Sequence, residues 1–117
     1  MAITNMTPHA IHVHGTNDIV EFPPSGSTIR LKTETAFVKW VEPYDAGIAI
    51  TTTKYGEPVV IDANGNESQL RPEIEGDYLI VSQLVKSALP ERKDLLVPAE
   101  LIRDESGRIV GCKSLGI

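Results

Sequence analysis

Two histidines flank one valine near the start of the chain, His12-Val13-His14, and His9 lies three residues upstream. On a strand, alternate side chains share a face, so His12 and His14 point one way while Ile11 and Val13 point the other. Two imidazoles on one face can begin a zinc site, which then needs a third protein ligand; Glu21 could supply it across a hairpin. The same pair suits a phosphoesterase of the kind built on two His-x-Thr/Ser motifs. Only one such motif is present, so half of that machinery is missing. His12 and His14 are therefore weak metal candidates only, and a polar, solvent-facing strand is the reading the ligand count favours.

A second set lies further along. Ser82 follows an apolar run, Tyr78–Val81, and precedes an amphipathic stretch, Gln83–Leu89. It can cap a helix, and free N–H groups at a helix start favour anions. Arg92 and Asp94 precede a second apolar run, Leu95–Val97. An arginine there can clamp a phosphate bidentately or pair with its acidic neighbours. Thr7-Pro8-His9 offers a hydroxyl and an imidazole. Thr7, His9, Ser82, Arg92 and Asp94 are thus the candidate ligand-binding residues; no catalytic residue is assigned. There is no glycine-rich phosphate loop and no recognisable Ser-His-Asp order. Trp40 and Tyr44 could stack a base, although Trp40 reads more naturally as core or interface.

The elements that position these residues are mostly strands. Ala10–His14 and Ile19–Phe22 read as a hairpin. Pro23-Pro24-Ser25-Gly26 is a rigid turn. Thr28–Lys32, Thr35–Val41, Ile48–Thr53 and Val59–Ile61 are β-prone, with turns at Pro43-Tyr44-Asp45-Ala46-Gly47 and at Asn64-Gly65. The 12 residues from Ser82 to Lys93 are about the minimum for a parallel crossover between Tyr78–Val81 and Leu95–Val97. The second of these runs is expected to end at Pro98. Leu101–Arg103 and Arg108–Gly111 flank Asp104-Glu105-Ser106-Gly107, a terminal hairpin with a left-handed glycine. The expected fold is α+β. It is a β-rich single domain over residues 1–117, a mostly antiparallel sheet or small barrel, with one short crossover helix over about 82–89.

Composition narrows the partners. The 117 residues suit one core, and 41% hydrophobic content is ordinary for a folded chain. Eleven Lys+Arg against 16 Asp+Glu leave a net charge of −5, which argues against binding a nucleic acid polymer. It leaves room for a small anion, for which two or three local cations suffice. The single cysteine, Cys112, excludes an internal disulfide and a cysteine-based zinc site, and reads as a small buried hydrophobe. No apolar run approaches the length of a membrane helix, and the N-terminus lacks the pattern of a signal peptide. A cytosolic protein without a cofactor is expected.

Several segments together carry a resemblance: Thr7-Pro8-His9-x-Ile11, Pro23-Pro24-Ser25-Gly26, Ile80-Val81-Ser82, Asp94-Leu95-Leu96-Val97-Pro98, and Leu101-x-Arg103-Asp104 with Gly107 and Gly111-Cys112. The set resembles small accessory proteins encoded by tailed bacteriophages. It spans nearly the whole chain and is strongest over Tyr78–Leu115. The resemblance brings no catalytic residues with it. It implies a counter-defence protein in the cytoplasm of an infected bacterium, a homo-oligomer that sequesters a nucleotide-derived immune signal without turnover. A phosphodiesterase cleaving such a signal, or a structural or protein-binding phage component, are the alternatives.

Overall fold

A computed structural model describes residues 2–41 and 47–117. Strand outweighs helix by 54% to 5%, so the fold is the expected β-rich α+β type. The turn read at Pro43-Tyr44-Asp45-Ala46, and with it the Tyr44 ring, lies outside the described residues.

Among the described residues, nine strands and one helix follow in order: β1 (Ile3–Asn5), β2 (Ile11–His14), β3 (Ile19–Phe22), β4 (Thr28–Trp40), β5 (Ala49–Ile61), β6 (Glu67–Gln69), β7 (Tyr78–Ile80), α1 (Gln83–Ala88), β8 (Leu95–Arg103) and β9 (Ile109–Gly116). A six-stranded sheet has the order β1-β7-β8-β9-β2-β3, and a three-stranded sheet the order β4-β5-β6. The two hairpins and the crossover stand where the sequence put them. β2 and β3 are antiparallel, β8 and β9 likewise, and β7 and β8 are parallel neighbours joined through α1.

The crossover is the heart of the core. Leu79, Ile80 and Val81 are all buried, as a strand with neighbours on both edges and cover on both faces requires. Leu79, Val81 and Leu95 cluster with Val85 of α1 and with Ile29 and Leu31 of β4. Ser82 caps the helix: its Oγ accepts from the Val85 N–H at 3.3 Å, and Lys86 donates to its carbonyl. Gly107, at φ 84°, closes the β8–β9 turn in the left-handed region.

Several elements differ from expectation. β8 does not stop at Pro98 but runs on to Arg103, with Pro98 opposite Leu115. Antiparallel pairing is long, but three strand pairings are parallel: β1–β7, β7–β8 and β2–β9. The four β-prone runs between Thr28 and Ile61 merge into two 13-residue strands, β4 and β5, with β-bulges at the joins. β1 and β6, three residues each, carry too little pattern to be read from sequence.

The six-stranded sheet nearly closes on itself. Its two outer strands, β1 and β3, meet at Asn5, which is 3% exposed. The Asn5 amide donates to the carbonyls of Phe22 at 2.8 Å and His9 at 2.7 Å, and Ser25 N–H donates to the Asn5 carbonyl. The Asn5 side-chain oxygen accepts from Thr7 N–H and from the Thr7 hydroxyl. One side chain therefore makes four hydrogen bonds, one across the seam to Phe22 and three to Thr7 and His9 of the loop that follows it. From this body β4 and β5 project as an arm, giving a radius of gyration of 17.8 Å. A compact chain near this length has about 13 Å.

Candidate functional site

The five candidate ligand residues separate into two pairs and a single residue, His9. Thr7 and Ser82 come together in a cleft of about 310 Å³ between α1 and the base of the arm. Its walls include Met6, Pro8, Leu31, Thr33, Tyr55 and Leu84, and Arg30 borders it. This volume is at the lower end of the range for small-molecule sites. The Ser82 hydroxyl accepts the cap bond and still has its own proton to donate. The Thr7 hydroxyl already directs its proton inward, 2.6 Å from the Asn5 side-chain oxygen, and keeps lone pairs to accept with. Tyr55 is half-exposed, so an aromatic wall stands beside the hydroxyls.

Arg92 and Asp94 lie elsewhere and hold each other. Arg92 Nε and one terminal nitrogen donate to the two Asp94 oxygens at 2.8 and 2.7 Å, and the other terminal nitrogen donates to the Arg71 carbonyl. The Asp94 hydrogen bonds are the main cause that holds the Arg92 guanidinium above its ordinary pKa, so it stays charged throughout. The guanidinium fork is filled by protein partners, which suits a strut at the entry to β8 better than a phosphate clamp. His9 is exposed, and it is its carbonyl that the seam uses.

His12 and His14 are half-buried rather than solvent-facing. Glu21 does lie directly across from His12, as the hairpin predicts. Among the described residues, no group of three His, Cys, Asp or Glu side chains is placed to hold a metal. The His14 ring instead packs over Gly111 of the neighbouring strand. A Cβ at Gly111 would lie 2.7 Å from His14 Nε2 and 3.0 Å from the His12 carbonyl. Gly111→Ala is expected to lower stability by about 1–3 kcal/mol, the usual cost of overpacking. A urea titration checks this; an unchanged midpoint would show that the ring swings aside freely. Cys112 is buried, and burial pushes its thiol pKa up, consistent with a small hydrophobe.

Asn5 is the residue that the sequence did not disclose as important. Three of its four side-chain bonds are local, to Thr7 and His9, but the one to Phe22 arises only where β1 meets β3, which no local pattern announces. Arg30, Thr33 and Tyr55 were likewise invisible as site residues, because their cleft forms only when β4 and β5 pack beside α1.

The fold and cleft define a small β-rich α+β domain with a nearly closed sheet. No protein-family model, curated protein or solved structure matches the chain.

Proposed function

We propose that the protein binds a small phosphorylated ligand and holds it without turnover. With the phage-like sequence pattern, this makes it a sponge for a nucleotide-derived immune signal in the cytoplasm of an infected bacterium. The observation that supports this best is the convergence of Thr7 and Ser82 in one cleft, with Tyr55 on its wall and Arg30 at its border. Hydroxyls suit phosphate oxygens, and a phenol ring suits a base. A sponge acts by mass action, so it requires affinity and abundance but no reacting group.

The test is to incubate the purified protein with cyclic dinucleotides, cyclic trinucleotides and ADP-ribose-derived signals. Unbound material is then removed, the protein denatured, and the released compound identified by chromatography. Recovery of an intact nucleotide is expected. Binding to none of them sinks the proposal, and a cleaved product would favour the phosphodiesterase alternative, which His12→Ala with His14→Ala then probes. Ser82→Gly sharpens the test, because glycine is nearly as good a helix cap while lacking the hydroxyl. Losing one hydrogen bond to a charged phosphate lowers affinity by about 10- to 100-fold. Unchanged retention by Ser82→Gly would place the ligand elsewhere.

A further inference from the structure

We propose that the arm formed by β4 and β5 is a self-association surface, and that its occupant is the same face of a second copy of this chain. The inference does not rest on the ligand proposal. Strand alternation and the β4–β5 register assign each arm residue to a face. Thr33 lies opposite Tyr55, Thr35 opposite Thr53, Phe37 opposite Thr51, and, past the bulge, Trp40 opposite Ala49. These eight residues share one face, and the Phe37 and Trp40 rings meet on it at 5.2 Å between centroids. The other face carries Glu34 with Lys54, Ala36 with Thr52, and Lys39 with Ile50. Among the described arm residues, all the charge falls on this second side and the first side has none.

The uncharged face continues the core. Ile29 and Leu31 precede Thr33, Thr35 and Phe37 at two-residue steps on the same side of β4, and both are buried. Where the body ends, the same side runs on uncovered: Phe37 is 56% exposed, Trp40 58% and Tyr55 54%. A two-stranded ribbon is at best marginally stable alone in water. The outer edge of β5 along Ala49–Thr53 also lacks the charge or proline with which exposed strands are normally blunted.

Charge and area select a second copy. The chain carries a net charge of −5, so chance encounters between copies are repulsive over most of the surface. This face meets itself without a like-charge penalty, and it offers no counter-charge to a basic or acidic partner. Two such faces, each with three half-exposed rings and the threonine methyls between them, bury roughly 1,000 Å² in all, the size a specific interface requires. A two-fold axis satisfies the same face of both copies at once. Thr33 and Tyr55 belong both to this face and to the ligand cleft, so the cleft of each copy opens at the edge of the interface.

Sedimentation velocity over a concentration series tests the proposal. The expected species at high concentration has twice the 12.8 kDa chain mass. Trp40 is the sole tryptophan, so its emission reports the face directly, and it is expected to shift red on dilution as the ring returns to water. Phe37→Asp and Trp40→Asp, both at exposed positions, are each expected to weaken the dimer about 100-fold or more, as loss of an aromatic anchor does. Thr52→Asp, on the charged face, is expected to leave it intact. A monomer at every concentration overturns the proposal, whether or not an unrelated protein is found on the arm. So does a dimer indifferent to Phe37→Asp and Trp40→Asp, or a Trp40 emission that never changes.

Discussion

Asn5→Asp is expected to be among the most destabilising single substitutions in this chain, and its effect is expected to grow with pH. The Asn5 amide supplies two donors, to Phe22 and His9, at a site 3% exposed. A carboxylate has no donor, and its charge would face two carbonyl oxygens. Leaving buried polar groups unsatisfied costs about 1–3 kcal/mol each, so the loss at neutral pH is about 3–5 kcal/mol. Burial and the facing carbonyls favour the protonated acid, which keeps one donor, so the folded-state pKa of the new carboxyl is raised above its unfolded value. Stability from such a group is fully present below the unfolded pKa and is lost as pH rises through the folded pKa. The deficit against wild type is therefore expected to be smallest in acid and largest at neutral pH. Denaturant titrations of both proteins at the two pH values measure it. An equal deficit at both would mean that the carboxylate finds water, and that the seam is open.

That seam marks where sequence reading stopped. Hairpins and the crossover could be anticipated because their signals are local. Asp104 to Gly107 is a turn by residue type, and Tyr78–Val81 and Leu95–Val97 are apolar runs at crossover spacing. Pro98 misled, because proline is a usual strand breaker, yet here the strand runs through it with Leu115 opposite. The merging of four β-prone runs into the arm was not legible either: bulges let polar Lys32 and Gly56 sit inside long strands, and no local pattern announces a bulge. The type of Ser82 and its place before a helix were enough to find it as the helix cap. Arg92 and Asp94 were equally visible, but their spacing of two residues served each other. Asn5, Arg30 and Tyr55 are brought into play by long-range pairing and so gave no signal.

Asp94→Ala is expected to have the second large effect, a loss of about 3 kcal/mol. The side chains of Arg92 and Asp94 are 17% and 7% exposed, so the pair is largely withdrawn from water. Removing one member strands the other charge, which costs about 3–5 kcal/mol when burial is complete; the upper end is not reached because the guanidinium keeps some solvent and its bond to Arg71. Arg92→Ala with Asp94→Ala removes both charges and is expected to recover part of the loss, as replacing a buried pair often does. The full double-mutant cycle by chemical denaturation gives the coupling. A cycle that closes additively would mean that the two groups do not depend on one another. Since the fork is occupied, Arg92→Ala is also expected to leave nucleotide retention unchanged, in contrast to Ser82→Gly.

The closed seam imposes an order on biosynthesis. Ala2 and Asp77, hydrogen-bonded across the β1–β7 junction, are 75 residues apart, and the Cys112 thiol reaches the His12 carbonyl across 100. β1 must therefore wait for β7, far along the chain, before it has a neighbour. Contacts of such separation close slowly, and unpaired edges are vulnerable until they do. In a nascent chain the β2–β3 hairpin can form early, but β1 stays unpaired until β7 emerges. A product truncated before Tyr78 would keep the β2–β3 hairpin and lose the β8–β9 hairpin, its core and its closure. Closure of the sheet thus waits for β7, when β1 acquires its partner.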